Sequence, residues 1–439
     1  MGGGVSVQRS VLGFTRYQWL VLFAAWLGWG FDVFDALLFN YVARLCIPSL
    51  LGPGTTPQDV TFWTGALTSV LLVGWAVGGI AFGRITDRLG RTRTLLITML
   101  TYALATAACA AAPNLATLVL FRFIASLGIG GEWAAGASLV AETVPEHKRV
   151  QAGALLYTAA PAGLFLATFV TDLFTRQLDF LAGNPDLSWR AVFLTGLVPA
   201  AVAIAIRLRL KESEAWSPHA ARVSLRELFT PALRRRTLGG LGLSAAALVT
   251  WWTCNAFIPT IVTFLATDEA AAARGVDVAD LRALYATRAT AWFNLGGLAG
   301  TLLTVPIALH LGRRPMFLAY FAASGAAIAT CFGLDLPPDA RIPLLFAIGL
   351  PVFGIFGAFT FYLPELFPTH LRGTGSGFCY NTGRFVTALG PFLVGGIAQR
   401  AQSADEILAI LAWVALVPAA AIVFMLAGFG EETRGQRLT

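Results

Sequence analysis

The 439 residues predict an all-α membrane protein, with twelve transmembrane helices arranged as two pseudo-symmetric bundles of six. Three observations carry that expectation. The chain is 56% hydrophobic and only 13% charged, with a mean hydropathy of +0.70, far from soluble-domain averages of about 45–50% and 25%. Its apolar residues gather into twelve runs, each near the ~20 residues that carry a helix across a ~30 Å hydrocarbon core. Two motif pairs also recur on either side of the chain's midpoint at nearly one spacing.

The runs are 17–40, 62–84, 94–112, 116–142, 150–174, 190–210, 238–265, 283–308, 315–334, 342–364, 374–399 and 406–428. The first follows MGGGVSVQRS, which lacks the apolar core and cleavage site of a secretory signal, so this helix is expected to stay. That start meets the loose M-G-x-x-x-[ST] lipidation pattern as any glycine-rich segment can, and twelve spans need no lipid anchor. Runs two and three are parted by GRITDRLGRTR (83–93), and AETVPEHKR (141–149) follows run four. After run six comes the longest polar segment, RLRLKESEAWSPHAARVSLRELFTPALRRR (207–236), expected as a solvated linker with short helices on the membrane surface. It divides an N-terminal bundle, 1–206, from a C-terminal bundle, 237–439.

Lys and Arg set the expected orientation. Of the 31, 21 fall on the side of the N-terminus and eight on the other, while Arg122 and Arg384 lie within runs. This bias places both termini in the cytoplasm of a multi-pass protein of the cell (inner) membrane. It also accounts for most of the net charge of +7, which therefore gives no reason to invoke nucleic acid. The five cysteines, Cys46, Cys109, Cys254, Cys331 and Cys379, are scattered without a CxxC pair or a His cluster, so neither a disulfide framework nor a metal site is expected. The four histidines, His147, His219, His310 and His370, stand near the cytoplasmic side, and no Ser/His/Asp set lies within a span. An enzyme is therefore not expected, nor a cofactor.

The repeat is specific. GRITDRLGRTR aligns with VPIALHLGRRP (305–315), matching Gly90 to Gly312 and Arg91 to Arg313. AETVPEHKRVQAG (141–153) aligns with PELFPTHLRGTGS (364–376), matching Glu142 to Glu365, Pro145 to Pro368 and Arg149 to Arg372. Offsets of 222 and 223 from two unrelated motifs indicate a duplicated six-helix unit, as in one large class of secondary transporters. The second copy departs at charged positions: Asp87 aligns with Leu309, Arg88 with His310 and Asp32 with Asn255.

GRITDRLGRTR resembles the loop 2–3 signature of the major facilitator superfamily, and RFIASLGIGGEW (122–133) resembles its helix 4 motif. With the segments after the fourth and tenth runs, the resemblance covers nearly the whole chain. GIGGEWAAGASLVAE and GFCYNTGR are most similar to the proton-coupled organic-acid and metabolite symporters, including the sialate, monocarboxylate and aromatic-acid branches. The resemblance implies the major facilitator fold and alternating access by rocking of the two bundles.

Within the spans, each charge needs a reason, because a carboxylate in hydrocarbon costs at least ~2.5 kcal/mol. Asp32 and Asp35, in LGWGFDVFDALLFNYV (27–42), are three residues apart and share a helix face. Asp32 lies ~22 Å along the helix from Tyr17, and Arg122 lies ~12 Å from the opposite membrane face on run four, at comparable depth. One Asp is thus expected to neutralise Arg122 in one state and take a proton in another, as the resemblance to proton-coupled sugar symporters also implies; the plain alternative is a static ion pair. Glu132, ~15 Å further along, is either a second proton site or a carboxyl bonded to a backbone or hydroxyl group. Gly128, Gly130 and Gly131 beside it suit close helix packing.

Arg384, ~18 Å from Arg372 on run eleven, has no acidic residue in its own run. Its planar fork suits a substrate carboxylate, with Asn381 and Tyr380 one turn back and Asn255 and Tyr362 as further polar lining; the alternative pairs Arg384 with a carboxylate such as Asp35. Trp251, Trp252 and Trp292 fit either a cavity or an interfacial belt. Asp87, Arg88, Arg91, Glu142, Arg149, Glu365 and Arg372 lie at inner helix ends and are expected to form a cytoplasmic gate. The reading that follows is a monomeric proton-coupled importer of a small organic anion in a lipid bilayer. The alternatives are a transporter of a sugar or other neutral or cationic metabolite, and a ligand sensor on the same fold.

Overall fold

The structure, a computed structural model, describes residues 13–207, 209–213, 216, 224–388 and 404–435, and every regular element among them is helical. The long helices are α1 (Arg16–Leu51), α2 (Pro57–Leu89), α3 (Arg91–Cys109), α4 (Leu115–Thr143), α5 (Arg149–Tyr157 continued by Ala159–Asp172) and α6 (Pro185–Leu194 continued by Leu197–Arg207). They are followed by α7 (Arg234–Leu265), α8 (Val278–His310), α9 (Arg313–Gly333), α10 (Pro338–Glu365), α11 (Arg372–Thr387) and α12 (Ala404–Trp413 continued by Leu416–Phe424). All twelve expected runs thus fall on helices, and nine described helices are long and apolar enough to cross a bilayer. The end of the eleventh run, the first residues of the chain and much of the expected linker lie outside the described residues.

Local chemistry sets the helix ends. Thr15 and Gln18 form a reciprocal capping box at the start of α1, as do Thr56 and Asp59 at α2. The first run was expected to stop at residue 40, yet α1 continues to Leu51. Asn40 and Arg44 interrupt the apolar pattern without disturbing the backbone ladder, and the first left-handed stop is Gly52 at φ 89°.

Between α2 and α3 a single residue, Gly90 at φ 98°, ends one helix and begins the next; Gly312 at φ 96° does the same work before α9. The exposed N–H groups at both starts receive a carboxylate from far along the chain. Glu212, past the end of α6, accepts from Arg91 N (2.6 Å) and Thr92 N, and Glu432, past α12, accepts from Arg313 N (2.9 Å) and Arg314 N (3.0 Å). An anion at a helix N-terminus is favoured by the unsatisfied N–H groups and the helix dipole. Each half thereby ties its last residues to the start of its own third helix.

The repeat also shows in close helix contacts. A Cβ at Gly78 on α2 would stand 2.0 Å from the Leu127 carbonyl oxygen on α4, and one at Gly300 on α8 would stand 1.7 Å from that of Leu350 on α10. Those pairs are related by the same offsets as the loop motifs. Between the halves, α2 meets α11 through glycines on both sides: Gly83 faces the Gly373 backbone, and Gly377 faces the Gly79 carbonyl at 2.7 Å from its would-be Cβ. Small residues let backbones approach where lipid offers no hydrophobic drive for association.

Gly78→Ala and Gly300→Ala should each lower stability by about 1–3 kcal/mol through overpacking against backbone. Gly325→Ala, whose Cβ would meet ordinary 3.5 Å contacts, should leave the thermal melt of the detergent-purified protein nearly unchanged. Equal melts for all three would refute the close-approach argument.

Candidate functional site

On α1, Asp35 is the carboxylate that pairs. Its Oδ1 accepts from Arg122 Nη1 at 3.1 Å and from the Thr106 hydroxyl at 2.5 Å, while Arg122 Nη2 reaches the Asp35 and Ala36 carbonyls at 3.2 and 3.4 Å. This clasp joins α1, α3 and α4. Asp32, one turn earlier, is only 1% exposed, and neither carboxyl oxygen has a hydrogen-bond partner. The charges that act on it are Glu132, Asp35 and Arg384. Glu132 sits against α1 in a notch left by Gly28, where a Cβ would be 2.0 Å from Glu132 Oε1. Its Oε2 lies 2.7 Å from the Thr98 hydroxyl.

Arg384 on α11 is 3% exposed. Its guanidinium lies over Trp75 of α2 at 4.2 Å and Tyr380 of its own helix at 4.5 Å, so one ring from each half faces the charge. Nη1 donates to Asn381, whose amide nitrogen is held by the Gly377 carbonyl at 2.9 Å. Nε has no partner. No salt bridge among the described residues includes Arg384, and Asp35, the alternative partner, is taken by Arg122. The rings cover the faces of the fork and leave Nε without a partner.

Around this cation the aromatic side chains of both halves converge. Trp133 stacks on Tyr380 at 4.3 Å, Trp29 meets Trp133 and Tyr157 edge-on, and Tyr157 packs with Phe353 and Phe356. Trp251 closes the cluster against the same two phenylalanines. Trp292 instead is exposed, paired with Phe346.

One expected lining residue stands apart from the cation. Tyr362 is three residues from the end of α10, ~4.5 Å along the axis; its hydroxyl donates to the Glu431 carbonyl and its ring packs on Phe317. Sequence reading grouped it with Arg384 by residue type, and the helix phase and depth set it elsewhere. Asn255 is half-buried on α7 beside Cys254. Trp75, Trp133 and Tyr157 were missed, because aromatic residues within apolar runs read as packing; Trp133 follows Glu132 in the GGEW stretch, the one available signal.

The expected gate residues gather at the end where the 2–3 and 4–5 loops lie. Glu142 accepts from Arg91 of its own half and, at 2.7 Å, from Arg372 of the other. Asp87 accepts from the Gly373 and Thr374 N–H groups at 3.1 and 2.7 Å, so a carboxylate of one half caps α11 of the other. Arg313 and Glu365 repeat the Arg91–Glu142 pair in the second half at 2.8 Å, with the Thr433 hydroxyl on Glu365. The mirror of the Arg372–Glu142 tie is not made: Arg149 donates to Ala141 in its own half, and its Nη1 lacks a partner. Arg88 is exposed and stands outside the network. The ties and the glycine seam between α2 and α11 hold the halves together at this end.

Residues 19–391 match the family model described as Major Facilitator Superfamily. A probable 4-methylmuconolactone transporter of Cupriavidus pinatubonensis is 29% identical over 371 residues, covering 83% of this chain and 80% of that protein. A niacin transporter of Acinetobacter baylyi is 26% identical over 464 residues, covering 96% of each. Among solved structures, a proton:xylose symporter bound to 6-bromo-6-deoxy-D-glucose is similar in fold, with a TM-score of 0.74 and 18% identity over 96% of this chain and 98% of that one.

Asp87→Asn removes the charge from an inter-half cap, and hydrogen bonds to charged groups contribute ~1.5–3 kcal/mol. Ala134, whose Cβ lies 3.5 Å from where a Gly377 Cβ would stand, offers a probe of the seam. In Ala134→Cys protein, adding Asp87→Asn should raise maleimide labelling about tenfold or more. Unchanged labelling would remove Asp87 from the closure.

Proposed function

This chain belongs to the major facilitator superfamily, and we propose that it imports a small organic anion, a mono- or aromatic carboxylate, together with protons. It is a multi-pass membrane transport protein; the proposal adds that it works as a monomer in the cell (inner) membrane with both termini cytoplasmic, by alternating access. The observation that carries the reading is Arg384: a buried guanidinium with aromatic rings on its faces, an unpartnered Nε and no ion-pair partner among the described residues. A planar carboxylate satisfies that edge with charge-assisted bonds, and the surrounding rings favour a flat, apolar body on the anion. Transporters named for a muconolactone and for niacin among the relatives agree with that chemistry.

Asp32 is proposed as the proton carrier, and Asp35, clasped by Arg122, as a structural anion of the same helix. Asp32 lacks any hydrogen bond and acts on Arg384 across the two halves. A substrate carboxylate at Arg384 therefore displaces the interaction with Asp32, and the freed carboxylate takes a proton. The ties at Glu142 and Asp87 form the cytoplasmic gate, which parts to release the cargo inward.

Purified protein in liposomes, offered labelled benzoate, niacin or gentisate under an inward proton gradient, should accumulate at least one of them; accumulation of a pentose but no acid would shift the reading to a sugar carrier. Arg384→Ala should weaken carboxylate binding over a hundredfold, since removing one member of a buried charge pair costs ~3–5 kcal/mol. Arg384→Lys should fall between, for want of a bidentate fork, and the amide of the same acid should lose far less. Equal losses for acid and amide would make Arg384 structural.

Asp32→Asn should abolish accumulation driven by the pH gradient while keeping exchange of internal for external substrate, which needs no net proton cycle. Accumulation that survives the substitution would remove Asp32 from coupling.

A further inference from the structure

Among the described residues, the indole N–H groups of Trp75, Trp133 and Trp251 are buried without a hydrogen-bond partner, and all three belong to the ring cluster around Arg384. Tryptophans elsewhere are served. The Trp26 N–H reaches the Thr158 hydroxyl at 2.9 Å, that of Trp189 an Asp186 oxygen at 3.2 Å and that of Trp216 the Asp87 carbonyl at 2.8 Å. An indole N–H can only donate, and burial without an acceptor costs it the bond that water would make. The phenylalanine side chains packed on these rings have no polar atom to offer.

Packing does not call for those donors. The offset of 223 that relates the second pair of loop motifs carries Trp133 to Phe356, so the same place in the second half is filled by a ring with no N–H. Both rings pack on Tyr380, Trp133 at 4.3 Å and Phe356 at 6.2 Å between centres. Trp133 is 3% exposed. Trp75 lies against the guanidinium itself, whereas Trp133 meets it through Tyr380, and Trp251 through Phe356 and then Tyr380. A carboxylate on Arg384 answers Nε and leaves the donors of Trp133 and Trp251 to the body of the cargo.

We propose that the cargo is a carboxylate whose body bears a second hydrogen-bond acceptor, a ring nitrogen or a carbonyl oxygen, and that the N–H groups of Trp133 and Trp251 select it. The inference rests on the anion reading of Arg384. An acid with an acceptor on its body restores a bond to a donor that has lost water, while an acid of the same shape built of carbon alone leaves both donors unmet. Discrimination then comes from the unmet donors and not from fit, since the two bodies occupy the same space.

Nicotinate, isonicotinate and picolinate keep the shape and charge of benzoate with one ring carbon replaced by a nitrogen that is unprotonated at neutral pH. Calorimetric titration of detergent-purified protein with these four acids should favour at least one pyridine acid over benzoate by about tenfold or more. Trp133→Phe or Trp251→Phe should bring that preference within about threefold and leave the affinity for benzoate unchanged. A preference that survives in both variants, or a loss shared equally by benzoate, would overturn the proposal. In the wild-type protein the indole N–H Raman band should shift on adding the favoured pyridine acid and not on adding benzoate, a readout that needs no variant; an unmoved band would overturn the proposal as well. Equal affinities for all four acids, each lost in Arg384→Ala, would overturn it and leave the anion reading standing. Binding of none of the four would count against the anion reading itself and take the proposal with it.

Discussion

Asp32, Asp35, Arg122, Glu132 and Arg384 stand midway along the bundle with 3% or less of their surface exposed, and charge in such a place must be paired, wrapped or discharged. The chain uses all three solutions. Arg122 and Asp35 are paired and share Thr106 and two backbone carbonyls, so this contact locks α1 to α4 and is unsuited to move. Arg384 is wrapped by rings on its faces, with Nη1 given to Asn381 and Nε left without a partner. Asp32 and Glu132 have neither arrangement: both oxygens of Asp32 and Oε1 of Glu132 lack a hydrogen-bond partner, and on the proposed function a proton keeps Asp32 buried. The division of labour follows from who is next to whom, and it could not follow from residue type, since the two aspartates are three residues apart on one helix.

Closure at the 2–3 loop end depends on a different balance. Glycines on α2 and α11 bring two backbones together, and the charged ties at Glu142 and Asp87 fix their register. Because Asp87 caps a helix of the opposite half, the tie is made with backbone N–H groups whose direction is set by that helix. Tilting α11 breaks both bonds together. Asn381 links this seam to the cation: its side chain fills the space above Gly79 and also receives Arg384. A ligand that draws Arg384 away from Asn381 therefore acts one turn from the surface on which the halves meet.

Much of the fold was legible because hydrocarbon imposes simple arithmetic on helices. Run length gave the spans, and the two loop motifs gave the repeat that reappears in Gly78 against Leu127 and Gly300 against Leu350. The ion pairs at that end were legible in the duplicated motifs, where Arg91 meets Glu142 and Arg313 meets Glu365. What failed was depth and phase on long helices, shown by Tyr362, and the length of α1, whose polar residues broke the hydropathy but not the helix. The caps made by Glu212 and Glu432 were also missed, although each follows the sixth helix of its half; a carboxylate more than a hundred residues from its N–H partners leaves no local pattern. The choice between Asp32 and Asp35 as partner of Arg122 depended on Thr106, a residue with no signal of its own in an apolar run.

The asymmetry of the two halves bears on how coupling is achieved. Tyr320, which occupies the place of Thr98 in the repeat, has its hydroxyl 2.9 Å from Thr304 and 3.0 Å from the Gly300 carbonyl, and Thr304 also reaches Gly354. That cluster is neutral and satisfied, so the second half has nothing there to protonate. Its contribution is Arg384, a cation that acts on Asp32 of the first half. On the proposed function, cargo and Asp32 compete for that cation across the plane on which the halves rock. The competition requires no relay through the helices: binding of one anion leaves the other without a partner, and burial then forces the proton on. A mobile charge pair within one half would lose this property, because its distance would not change as the halves move.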